Sequence, residues 1–289
     1  FKLEINEFQA ICISLLGIIV GWVIYDFICR SKIGDNTVTL SAVVYIFIVL
    51  CAYFYSEIFS GRGAFTQLGV MIGTIMVANV AMVIIPGQKK VVNALIKGNK
   101  PDPIHGIRAK QRSLHNNYLT LPVIFVMLAG HYPMVFATKF SWLILAIVIV
   151  IGALIRHFFN SRHAKKKTPW WTWVLSTILI VFIIYLSNIG KPDISDDEKL
   201  ASLQKDINHE ILLNAAEVVE VHCAMCHAKY PSWERMSRPP KGLILANKDD
   251  IILNIDSLYQ QVVLSNAMPP GNITWMEYTE RETIKLLYQ

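Results

Sequence analysis

The chain has 289 residues, of which 54% are hydrophobic and 17% charged, with a mean hydropathy of +0.43. That is too apolar for an ordinary water-soluble domain and points to membrane spans. Residues 1–189 carry 17 Lys and Arg against 6 Asp and Glu, whereas residues 190–289 carry 10 against 15, so the overall net charge of +6 describes neither part. The basic residues sit in short stretches between apolar runs, the pattern of membrane topology, which argues against nucleic acid as a partner.

The first residue is Phe1, and no charged segment, short apolar run and small-residue cleavage site precede the first apolar stretch. The expectation is a chain that continues upstream. Six stretches approach the roughly 20 apolar residues that a bilayer requires: 10–28, 38–56, 64–85, 114–137, 140–160 and 170–187. Runs of this length predict helices, because a helix satisfies its own backbone groups in lipid. The fold class expected is therefore all-α, a six-span transmembrane bundle over residues 1–188, followed by a linker over 189–210 and a small α-helical domain over 211–289.

Loop charge gives the orientation. The connections after spans one, three and five hold thirteen Lys and Arg, and those after spans two and four hold only Arg62 and Lys139. The first set belongs on the cytoplasmic side, which puts Phe1 and everything after Ser187 outside. Trp170, Trp171 and Trp173 suit an interfacial belt at the start of the sixth span. The setting expected is a multi-pass protein of a bacterial inner membrane, with the lipid bilayer as a partner and the tail on the periplasmic side.

Beyond the acidic stretch GKPDISDDEKLASLQKD, helices are expected at 211–226, at 249–265 behind an Asn247 cap with Asp250, and from Glu280 behind a Thr279/Glu282 capping box. This is little core for an independent fold, so something besides side chains should stabilise it.

The tail also contains CAMCH, Cys223 to His227. Cys-x-x-Cys-His is the signature of covalent c-type haem attachment: both sulfurs lie on one helical turn, each able to form a thioether, and His227 follows as proximal iron ligand. The segment SNAMPPGN supplies Met268 before a pair of prolines, a stiff loop suited to presenting the second axial ligand. Met236 and Met276 lack that flank. A zinc site would need further ligands from His209 or His222, and a Cys223–Cys226 disulfide would leave His227 and Met268 without a role. The cofactor expected is one covalent haem c.

Charged and polar groups at membrane depth are costly and usually functional. At the cytoplasmic ends of the spans fall Asp26, Asn79, Arg112, His115, Asn116, Asn117, Arg156 and His157. Arginine offers a planar donor fork to an anion, asparagine a paired donor and acceptor, and histidine a proton carrier. The plainer reading of Arg112, Arg156 and His157 is that they reach for the headgroups. Glu57, Arg62 and His131 fall at the opposite end, where loop or interfacial roles are expected.

The segments SGRGAFTQLGVMIGTIMVANV, IIPGQKKVV, AKQRSLHNNYLTLPVIFVML and GALIRHFFNSRH closely resemble the membrane-bound urate hydroxylase (urate oxidase) family, whose C-terminal cytochrome c carries CxMCH and AMPPGN segments. The resemblance runs from about residue 10 to the end, and the family has further N-terminal membrane helices that this chain lacks. It implies oxidation of urate to 5-hydroxyisourate without hydrogen peroxide, electrons passing to the haem c and on to a respiratory acceptor such as a terminal oxidase or soluble cytochrome. Arg112, His115, Asn116 and Asn117 are the catalytic candidates under this reading. A membrane-anchored cytochrome c without its own substrate, or a transporter, are the alternatives.

Two constraints follow. His115 and His131 are sixteen residues apart, ~24 Å along a helix, in a hydrocarbon core about 30 Å thick, so either the urate site lies near the outer face, close to Arg62 and His131, or electrons from an inward site reach the outer haem through a bridging carrier. A membrane haem with His115, His131 or His157 as a ligand would serve. Urate also loses two electrons where one haem takes one at a time, which calls for sequential transfer or an intermediate store.

Overall fold

The computed structural model describes residues 6–130, 132–136, 138, 140–188, 208–234 and 236–289. The chain divides into two compact units, one formed by 1–136 with 140–187 and one by 188–289 with 137–139. All regular elements among the described residues are helical.

In the first unit, α1 (Glu7–Arg30) leads through a short 3₁₀ turn to α2 (Thr37–Ile58) and α3 (Gly61–Ala78). A π turn (Asn79–Ile84) joins α3 to α4 (Ile85–Ile96), and α5 (Pro103–Ala129), α6 (Pro133–Phe136), α7 (Ser141–His163) and α8 (Trp171–Asn188) follow. Among the described residues four helices are long and apolar enough to cross a membrane: Phe8–Arg30, Thr37–Ile58, Gly61–Ile96 and Ser141–His163. At the other two expected spans lie α5, which is basic through its first half, and α8, apolar but shorter.

Three boundaries differ from expectation, each for a local reason. The third span does not stop near Ile85, because the π turn carries the helix past Pro86: Ile85 N–H bonds five residues back to Val80 O, and the helix runs on to Ile96. The fourth helix begins eleven residues before Leu114, at an Asp102 cap whose side chain accepts from Ile104 N–H, with Pro103 in the first turn. It ends at Ala129 rather than continuing through 137. Arg108, Lys110 and Arg112 therefore stand on helix, not in a loop.

Small residues set the helix contacts. A Cβ on Gly17 would lie 2.6 Å from the Tyr55 hydroxyl, and one on Gly21 would lie 2.7 Å from Met71 Sδ, so the GIIVG run lets α1 close on α2 and α3. A Cβ on Gly152 would lie 2.6 Å from Pro122 Cδ, and here α7 crosses α5 at the proline.

In the second unit, α9 (His209–His222) leads into the single turn α10 (Ala224–His227), then α11 (Lys248–Leu253), α12 (Ile255–Leu258), a π turn (Tyr259–Leu264) and α13 (Tyr278–Tyr288). The Asn247/Asp250 capping box is present. The last helix starts earlier than expected, and its box is Glu277 with Glu280 rather than Thr279 with Glu282, because the Glu280 carboxylate accepts the Glu277 N–H at 2.6 Å. The core gathers Leu212, Ala215, Val219, Ile251, Ile255 and Ile284. Of the expected linker, only its last three residues lie among those described.

Candidate functional sites

The polar residues of the helical unit sort onto two faces of α5. On one face Arg112, His115 and Asn116 meet α1 and the start of the π turn. Arg112, 2% exposed, donates through Nη2 to Asp26 Oδ1 at 2.7 Å, and its guanidinium carbon lies 4.8 Å from the centre of the Tyr25 ring. Asp26 also pairs with Arg30 one turn on, at 2.6 Å. His115 Nδ1 lies 2.7 Å from the Tyr25 hydroxyl, with Cys29 Sγ further off at 3.9 Å. Asn79, fully buried, donates to the Tyr25 hydroxyl at 3.0 Å and to Asn116 Oδ1 at 2.9 Å, and Asn116 donates to Met76 O at 2.8 Å. With Asn79 donating to its oxygen, the Tyr25 hydroxyl keeps its proton free to be shared with His115 Nδ1.

Three buried polar atoms in this network have no partner: Arg112 Nε, Arg112 Nη1 and Asn79 Oδ1. An unmet buried donor or acceptor costs about 1–3 kcal/mol, and more beside a charge. Arg112 Nε and Nη1 are thus buried donors with no hydrogen-bond partner among the described residues, and the Tyr25–His115 pair can pass a proton.

Asn117, one residue on, is rotated by about 100° from Asn116 and faces α7. Its Oδ1 accepts from Arg156 Nε at 2.9 Å and from Asn160 Nδ2 at 2.8 Å. The neighbouring Tyr118 hydroxyl lies 3.0 Å from His157 Nδ1. The four catalytic candidates are thus not one constellation: Arg112, His115 and Asn116 stand together and Asn117 stands apart. His115 and His157 each engage a different tyrosine. His131 lies outside the described residues. Arg62 is exposed in the first turn of α3, and Glu57, also exposed, lies near the end of α2.

Tyr25, Cys29 and Asn160 were not singled out from the sequence. Tyr25 sits in an apolar run where an aromatic reads as packing. Its signal is position, beside Asp26 and one turn before Cys29.

In the second unit the CAMCH segment forms a tight turn, with Cys226 N–H and His227 N–H both bonding Cys223 O, at 3.1 and 2.8 Å. Both cysteines are free thiols. Burial, with Cys226 adding to it and Arg281 opposing, pushes the Cys223 thiol up to about 12, the reverse of the low-pKa thiolate of an exchange-active pair. His227 Nδ1 lies 3.0 Å from Leu243 O; a carbonyl only accepts, so Nδ1 carries the proton and Nε2 keeps its lone pair for a metal.

Met268 packs against the core, half-buried, and Arg281 braces its loop by donating to Val262 O at 2.6 Å, Met268 O at 2.9 Å and Asn272 Oδ1 at 3.1 Å. His222, next to Cys223, is held at both nitrogens, by Thr274 and Glu280, each at 2.9 Å. Among the described residues no three His, Cys, Asp or Glu side chains group as a metal-ion site. A porphyrin iron draws only one or two ligands from the protein, and the free thiols, the His227 tautomer and the braced Met268 loop fit such a group.

A family model described as urate oxidase N-terminal matches residues 2–187. The chain belongs to this urate oxidase N-terminal family. The match ends where the helical unit ends, and it contains the whole Arg112 network and the Asn117 face. No curated protein and no solved structure matches the chain. The four long apolar helices of this family member are compatible with a membrane protein, and the family relates it to urate oxidation and to oxidoreductases.

Proposed function

We propose that the chain oxidises urate to 5-hydroxyisourate at a bacterial inner membrane, and that the electrons pass through a second redox carrier bridging the membrane to a covalent haem c on the periplasmic side and on to a respiratory acceptor. The reaction adds water and releases two protons and two electrons. The observation that carries the reading is Arg112, a buried cation with two unpartnered N–H groups beside His115 and Asn116, within the segment matched by the urate oxidase family.

In this reading the urate anion takes the unpartnered Nε and Nη1 donors of Arg112, while Asp26 holds Nη2. His115 and Tyr25 take part in proton removal through their 2.7 Å contact. Asn116, held by Asn79 and Met76 O, sets the orientation of the site, and Asn117, on the opposite face of α5, falls outside it. Cys223 and Cys226 would hold the haem by thioethers, with His227 and Met268 as axial ligands. When bound, haem c supplies a one-electron acceptor whose potential the methionine sulfur raises.

Membranes containing the full-length protein should consume urate and oxygen without releasing hydrogen peroxide, and Arg112→Ala should abolish the consumption. Undiminished urate loss in Arg112→Ala membranes would remove that residue from the site, and no urate loss in the parent would end the reading.

A further inference from the structure

A groove of about 590 Å³ runs between α4, α5 and the end of α7, on the Asn117 face of α5 and away from the Arg112 network. Gln88, Lys110, Ser113, Asn117 and Asn160 supply its polar wall, while Val91, Val92 and Leu114 are among the apolar residues that complete it. The apolar wall is the larger part of its surface. Every polar side chain on it can donate a hydrogen bond, one is a cation, and none is a carboxylate. Asn117 is committed as a donor, since its carbonyl oxygen already accepts from Arg156 and Asn160 and its amide nitrogen has no protein partner.

Lys110, Ser113 and Asn117 follow one another along a single face of α5, over about 10 Å. The exposed Lys89 and Lys90 flank Gln88 on α4. A donor-lined, cationic, largely apolar groove in a helical unit of this kind matches an amphiphile with an anionic head. Basic pockets between membrane helices on the cytoplasmic side are where phosphate headgroups bind, and loop charge assigns these residues to that side.

We propose that this groove is a binding site for an anionic phospholipid. The headgroup phosphate pairs with Lys110 and accepts from Ser113 and Gln88, Asn117 and Asn160 meet the glycerol ester oxygens, Val91, Val92 and Leu114 pack against the apolar parts of the headgroup and glycerol, and the acyl chains leave the groove toward the bilayer interior. The inference is independent of urate and haem, because it uses none of the residues of the Arg112 network or the tail.

The test is lipid binding by full-length, delipidated protein in detergent, with phosphatidylglycerol and phosphatidylcholine as probes. Thermal melting should rise with phosphatidylglycerol and not with phosphatidylcholine. Native mass spectrometry should count one retained phosphatidylglycerol per chain. Lys110→Gln should weaken phosphatidylglycerol binding about fivefold, Lys110→Gln with Asn117→Leu should weaken it further, and Lys32→Gln, an equal change of charge outside the groove, should leave it unchanged.

Equal binding of the two lipids would overturn the proposal, as would a Lys32→Gln effect as large as that of Lys110→Gln. Competitive displacement of phosphatidylglycerol by urate or by a short-chain quinone would assign the groove to a ring ligand and overturn it too. The melting temperature of each variant without lipid shows that the fold is intact, so a lost site is not mistaken for a lost structure.

Discussion

The two units hold their chemically active side chains in opposite ways. Around Arg112 the polar groups are bonded to one another across three elements, with Asp26 to Arg112, Tyr25 to His115 and Asn79 to both Tyr25 and Asn116. Around Cys223 the polar bonds instead fix the surroundings: Leu243 O sets the His227 tautomer and Arg281 braces the Met268 loop, while the thiols and His227 Nε2 stay available. A region surrounded by apolar helix meets most of its polar groups internally, whereas the small tail unit places its polar bonds on the segments around the cysteines and His227.

The sharpest break between the two units should come from the tail. Cys223→Ser with Cys226→Ser is expected to remove all covalently held pigment, read by spectra after acid extraction, while the helical unit keeps its helical content by circular dichroism. Pigment that survives extraction in the double variant would mean that the thiols do not hold it.

Next in size is the loss of a buried charge partner. Asp26→Ala leaves the Arg112 cation without its carboxylate and should destabilise the helical unit by about 3–5 kcal/mol. Asp26→Ala with Arg112→Met should recover most of that. Unfolding titrations of the four proteins in one detergent measure the coupling, and additive losses would show that the pair is not a unit.

Gly152→Ala tests packing rather than polarity. The new methyl group meets Pro122 at the α5–α7 crossing, so a loss of about 1–3 kcal/mol is expected, with no change in the spectrum of the tail.

The smallest effect concerns pH in the tail. Burial opposes ionisation of Glu280, but the Glu277 N–H, His222 and Arg281 outweigh it and hold the carboxyl below its usual range. A depressed carboxylate contributes stability above its unfolded pKa of about 4.3 and loses that contribution as pH falls through the folded value. Glu280→Gln should therefore cost less than about 1 kcal/mol at neutral pH, and the difference from the parent should vanish under acid in melting curves. A difference that persists unchanged in acid would give Glu280 a packing role only.

Much of this arrangement was legible in the residues, and the misses have physical causes. The Asn247/Asp250 box is a local pattern, and a cap follows from a few neighbouring side chains. Pro86 reads as a helix end because a proline removes a bond, yet a π turn upstream lets the helix pass, and that accommodation depends on packing along the whole of α3 and α4. The start of α5 at Asp102 and Pro103 was readable as a cap followed by a first-turn proline, but the basic residues after it suggested a loop.

The separation of Asn117 from Asn116 was also within reach of helical periodicity, since adjacent residues point about 100° apart. Tyr25 was not, because only the placement of α1 against α5 turns an aromatic in an apolar run into the partner of His115.

The central claim is that urate and the tail cofactor are joined by electron transfer in one protein. Anaerobic addition of urate to the oxidised full-length protein, followed by visible absorption, tests it directly. The account predicts growth of the reduced c-type α-band with urate, in an amount set by two electrons per urate and absent in Arg112→Ala. A protein whose c-type band appears with dithionite but never with urate would contradict it.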